Sequence, residues 1–321
     1  MLAGLLLIGM CLAPRASDLG PSTLSASSRV ATSASSSVSS GAPSRATRLA
    51  ANAGEPTRVV IVADAPGKLV EDARLALAAS GRTVEVRILE GDGARAFAGS
   101  GASGERIVFL AAGKKSALAL ARSSIATKAA FLVKREDAPE SIASVVLEPS
   151  PEEQLAWARI AFPGRTRVIV PRSPSGAQAR EDDRWRAAAT KTGLTLALVD
   201  VKSAGEAVPA LEAALKGAPS IIVFVADAVA VTADTVAPLV KSALGSRTPA
   251  IGFSTYFLKV GALGAISVDA GAMASQALAL ALDASASRAV SPERARLIVD
   301  GKLAERLGVV TRDGPGVEVR R

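Results

Sequence analysis

The chain has 321 residues, 49% of them hydrophobic and 3% aromatic, with a net charge of +8 and no histidine. That length and apolar share suit about two domains with cores of their own. The missing histidine excludes a Ser-His-Asp triad and any His-ligated metal, and a single cysteine, Cys11, excludes an internal disulfide.

Met1 to Ala13 is an apolar run too short to span a bilayer but suited to the core of a signal peptide. Ala13 and Ala16 suit a peptidase, and Cys11 after Ile8-Gly9-Met10 partly matches a lipoprotein box. We expect a signal peptide over 1–16, with lipidation at Cys11 as the other processing route. Residues 17–56 are Ser, Ala, Thr and Gly with scattered Arg and have no apolar period. A segment that buries so little cannot offset its chain entropy, so a disordered linker is expected there.

From Arg58 the pattern changes. Val59 to Ala63 reads as a buried strand, and Leu69, Ala73, Ala76 and Leu77 follow at helical spacing. The alternation recurs, with strands expected near 83–89, 106–111, 129–133, 144–147, 166–170, 194–199, 220–225, 250–253 and 265–268. Ser150-Pro151-Glu152-Glu153 is a capping box with Pro at the first helical position. Ser203 to Glu206 has the same form, and Thr232 is expected to cap a third helix. Apolar strands alternating with helices imply parallel sheets covered on both faces. About ten strands exceed one comfortable sheet. The expected fold is therefore α/β, with two doubly wound parallel-sheet lobes and an interlobe cleft beyond the carboxyl ends of the strands.

Several short motifs invite chemistry. Gly91-Asp-Gly93 and Gly99-Ser-Gly101-Ala-Ser-Gly104 approach dinucleotide fingerprints but lack the helix that should follow, and read as loops. Gly113-Lys114-Lys115-Ser116 resembles the tail of a P-loop without its first Gly. Its backbone N–H groups and ammonium groups form either an anion site or a solvated lysine pair. Asp64 and Asp227 each follow a strand, without a partner acid or base, and suit a ligand amine better than catalysis. Trp157 and Trp185 read as packing residues. Tyr256, in Phe253-Ser254-Thr255-Tyr256, stands where a cleft would be lined. No cofactor or metal and no enzymatic activity are expected. Lys and Arg are interleaved with Asp and Glu along the chain, so nucleic acid is not an expected partner.

The second half resembles the ABC-transporter substrate-binding family with amino-acid-like ligands and the type I periplasmic-binding fold. Glu148 to Leu155, Pro163 to Val168, Ala188 to Leu194, Pro249 to Gly252, Gly261 to Asp269, and Leu297 to Val309 carry the resemblance. The resemblance implies a first lobe over 57–148, a second over 149–264, a return to the first over 265–310, and a tail over 311–321. It also implies a monomeric, periplasmic or envelope-associated receptor that captures a small anionic or zwitterionic solute for a permease in the inner membrane. A sensory or protein-interaction module that kept the fold and lost transport is the alternative. Lys114-Lys115 stand where the family usually has Gly-Thr or Gly-Ser, and Arg172-Ser173 where it has Asn-Pro. Ile266 replaces a common Tyr and Asp300 a common Asn. The expected ligand contacts are Asp64, Gly113, Lys114, Lys115, Arg172, Ser173, Asp227, Ser254 and Tyr256.

Overall fold

Val59, Ile61, Val62 and Ala63 are fully buried because β1 (Thr57–Ala63) lies inside a sheet, between β2 (Thr83–Ile88) and β3 (Arg106–Ala112). The computed structural model describes residues 57–91, 97, 106–174, 178–283 and 289–321. The signal, Cys11, linker and Gly99–Gly104 expectations lie outside the described residues.

The first sheet continues through β4 (Lys128–Val133) and β5 (Ala143–Val146) to the two-residue β11 (Ala289–Val290). Its order is β11-β5-β4-β3-β1-β2, and every pairing is parallel. The second sheet is built from β6 (Arg167–Arg172), β7 (Thr195–Asp200), β8 (Ser220–Val223), β9 (Ala250–Gly252) and β10 (Gly264–Ser267). It is closed by β12 (Arg296–Asp300) and β13 (Val317–Arg320), in the order β13-β12-β10-β9-β8-β6-β7. Only β10 and β12 pair antiparallel. Each sheet has an apolar cluster on each face, as parallel sheets require.

The helices are α1 (Lys68–Ala79), α2 (Lys114–Arg122), α3 (Pro151–Ala161), α4 (Gln178–Thr192) and α5 (Ala207–Ala214). They continue with α6 (Ala233–Gly245), α7 (Tyr256–Lys259), α8 (Ala270–Leu282) and α9 (Gly301–Arg306). The Ser150 box forms as read: its hydroxyl accepts from Glu153 N–H, and Glu153 accepts from Ser150 N–H at 2.9 Å. Thr232 caps α6 in the same reciprocal way with Thr235. Ser203 does not cap. A 3-10 turn over 204–206 intervenes, and the Glu206 carboxylate accepts from Lys202 N–H instead. Trp157 and Trp185 are buried in one core cluster.

The chain crosses between lobes at 147–150, 268–269 and 291–295. The return to the first lobe is shorter than expected. Among the described residues only α8 and β11 belong there, with Met273, Ala274, Ala277 and Leu278 packed on the first sheet. Residues 296–320 go back to the second sheet because β12 pairs along β10, Ala265 opposite Ile298.

Candidate ligand-binding site

Asp64 follows β1 and reaches the start of α2. Its Oδ2 accepts from Lys115 N–H at 2.9 Å and its Oδ1 from Ser116 N–H at 2.6 Å. These are N–H groups that a helix leaves unpaired, and the favourable end of its dipole. Gly113 makes the approach possible. It sits at φ 113, and a Cβ there would lie 2.7 Å from the Asp64 carboxyl. The expected backbone anion site is therefore filled by a carboxylate of the protein itself. Lys114 turns away to Asp137 at 2.6 Å, and that hydrogen bond, with its Coulombic attraction, raises the lysine's pKa. Lys115 is exposed.

In the second lobe Arg172 ends β6 and is 9% exposed. Its Nη2 donates to Asp182 at 2.5 Å and its Nη1 to Asp200 at 2.6 Å. The expected extra cation is thus neutralised by two carboxylates, because a buried guanidinium needs partners. Asp227, 4% exposed, is spent locally as well. Its Oδ2 accepts from the N–H and hydroxyl of Ser173, and its Oδ1 from Val229 and Ala230 N–H. Burial pushes this carboxyl's pKa up, and the four hydrogen bonds outweigh it and hold the pKa below the usual value. Asp227 thus ties the loop after β6 to the loop after β8, with no acceptor position left over for an amine.

Ser254 is half-buried, and its carbonyl accepts from Phe257 N–H at 3.1 Å. Tyr256 opens α7 and is 37% exposed. The turn is held by Phe257, whose ring stacks on Phe224 and lies against Gly252 where any Cβ would collide. The structure therefore brings Asp64, Gly113, Lys114 and Lys115 together in one lobe. Arg172, Ser173 and Asp227 form a group in the other, with Ser254 and Tyr256 after the next-but-one strand.

One group escaped the sequence reading. Arg135, just after β4, donates from Nη2 to Ser291 at 3.2 Å, and its backbone N–H meets Glu148 at 3.0 Å. Ser291 and Glu148 lie on two crossings. Its Nε is 4.0 Å from Glu181 of α4, which also pairs with Arg184 at 2.8 Å. Burial, then the like charge of Arg184, lowers the Arg135 pKa, and burial raises that of Glu148. Arg135 follows a strand just as Asp64 does, which is the one signal that could have marked it.

Among the described residues no group of acidic, His or Cys side chains could hold a metal ion. Nor is any described helix long and apolar enough to cross a membrane. A family model described as ABC transporter substrate binding protein matches residues 101–314. The chain belongs to the ABC transporter substrate-binding protein family. Proteins of this family are extracytoplasmic. No curated protein matches the sequence significantly.

Solved structures agree with the fold of this substrate-binding protein. The ligand-free, open structure of a substrate-binding protein with adhesive properties from Clostridium difficile has a TM-score of 0.63 at 14% identity. That match covers 82% of this chain and 99% of the other. A sugar-binding protein of a Bacillus halodurans ABC transporter has a TM-score of 0.52 at 12% identity, covering 78% and 99%. A conserved domain protein from Vibrio cholerae has a TM-score of 0.51 at 16% identity, covering 81% and 97%. At such identities the likeness speaks for the type I periplasmic-binding fold alone.

Proposed function

We propose that this substrate-binding protein captures a small zwitterionic solute between its lobes and hands it, as a monomer, to an inner-membrane permease, without catalysis. The observation that carries the reading is the charge balance of the strand-end loops. Lys114, Lys115 and Arg172 lie among five carboxylates, those of Asp64, Asp137, Asp182, Asp200 and Asp227. A purely anionic solute gains no net attraction from such a set, whereas a zwitterion finds both signs. In this reading Asp64 and exposed Lys115 meet its charged ends, and Ser254 and Tyr256 cover its body. Lys114, Arg172, Ser173 and Asp227 act as positioning residues. Closure follows from contacts to both lobes that exist only in the closed state. Delivery from the periplasmic side, from a signal-cleaved or Cys11-lipidated chain, completes the proposal.

A second reading, a sensory or protein-interaction module without a solute, is favoured by the same self-satisfied groups. A thermal-shift screen of amino acids, dicarboxylates and polyamines separates the two. Ligand at 100 times its dissociation constant stabilises the fold by about 2.7 kcal/mol. We expect hits among the amino acids. A screen in which only dicarboxylates shift the transition contradicts the zwitterion reading, and one without hits supports the second.

A further inference from the structure

We infer that the end of the second lobe farthest from the crossings is a cationic face that rests on a bilayer carrying anionic headgroups. The cations are scattered in sequence and gathered by topology. The crossings leave from the carboxyl end of β10 and re-enter at the amino end of β12, so they share one edge of the sheet. The opposite edge is made by the amino ends of β6 to β10, the carboxyl ends of β12 and β13, and the helix C-termini before those strands. Its segments are 162–167, 191–194, 214–219, 245–249, 260–263, 300–302 and 320–321. They contain eight Lys or Arg and a single acid, Asp300, and one of the eight, Arg320, is paired with Glu318 just outside them at 2.8 Å. Asp300 caps α9, accepting from Leu303 N–H at 2.9 Å, and keeps its negative charge.

Part of this is helix-dipole complementation, which draws cations to C-termini. Arg167 donates to Ala214 C=O at 2.8 Å and Arg165 to Arg247 C=O at 3.1 Å. Those bonds leave the formal charges in place and hold the two guanidiniums against the surface. Lys216, Arg247 and Lys191 are exposed beside them. On the β12–β13 side, Lys302, Arg320 and Arg321 share a depression of about 250 Å³ with Asp300, and Arg320 is paired with Glu318 at 2.8 Å, so the free positive charge lies mainly on the β6–β9 side.

The chemistry narrows the partner. The only aromatic in these segments is Phe162, which is fully buried, so there is no platform on which bases could stack. None of the exposed large apolar side chains lies there either, so an acidic protein would find no anchor of the kind that dominates protein interfaces. A diffuse positive surface without anchors matches a charged bilayer.

Co-sedimentation of the full chain with vesicles tests this, using equimolar phosphatidylglycerol and phosphatidylcholine against phosphatidylcholine alone, at low and high salt. The expected result is an excess of binding to the anionic vesicles of about tenfold or more, lost at high salt. Lys216→Glu with Arg247→Glu should abolish the excess while circular dichroism stays unchanged. Should that pair fail to fold, Lys216→Gln with Arg247→Gln should reduce it several-fold. No excess, an excess that survives these changes, or release of the chain from vesicles by duplex DNA at equal phosphate would overturn the inference.

Discussion

Asp64 Oδ1 accepts from the backbone N–H of Ser116 at 2.6 Å, across 52 residues of sequence. With the bond from Lys115 N–H it makes the end of β1 the cap of α2, so a helix terminus that could hold a ligand anion already holds a carboxylate. Asp64→Ala removes both acceptors and should cost about 1–2 kcal/mol of stability, the range of a lost helix cap. Urea denaturation measures it. An unchanged midpoint would mean that water replaces the carboxylate at no cost.

Arg172 joins the buried Asp182 at 2.5 Å and the exposed Asp200 at 2.6 Å. Removing one member of a buried ion pair strands the charge of the other, at about 3–5 kcal/mol. Arg172→Ala should therefore lower stability even in a chain without solute. A fully stable Arg172→Ala protein with weakened solute binding would make Arg172 a direct ligand contact instead.

Asp227 predicts a pH dependence. Its folded pKa lies below the unfolded value, so ionisation favours the folded state. That contribution is complete above about pH 4, the unfolded carboxyl's range, and is lost as pH falls through the folded pKa. Asp227→Ala should destabilise the chain at pH 7, and the gap from the parent should close under acid. A gap that stays constant down to the acid transition would show that the hydrogen bonds do not depend on the charge.

Much of this was legible from local pattern. The strands around Val59, Val168 and Ile221 announce themselves as apolar runs, and Ser150 and Thr232 carry their caps within three residues. What failed was non-local. Nothing near Leu297 says that it will pair with Ile266 of β10. The Ser203 box fails because a 3-10 turn precedes α5. Lys114 and Arg172 read as spare cations because their partners lie 10 to 28 residues away, on other elements. The cationic end of the second lobe was hidden for the same reason, since a fold collects what a sequence disperses.

The contact between Arg135 and Glu181 links the lobes beside two crossings. The pair is partly exposed and loose, worth about 0.2–1 kcal/mol, which moves an open–closed ratio by up to a few-fold. Glu181→Gln should enlarge the radius of gyration seen by small-angle scattering at low salt, and high salt should bring the parent toward the variant. Identical scattering curves at both salts would remove this pair from the account of lobe movement.

Native mass spectrometry of freshly purified protein decides whether the chain captures a solute. A single low-mass adduct at one per chain is expected, released on denaturation and identified as a zwitterion. That compound should rebind to the emptied protein, and Tyr256→Ala should weaken it without lowering stability, since the ring is already 37% exposed. A chain that carries no adduct and binds no member of the amino-acid panel, although folded and with both lobes intact, would contradict solute capture.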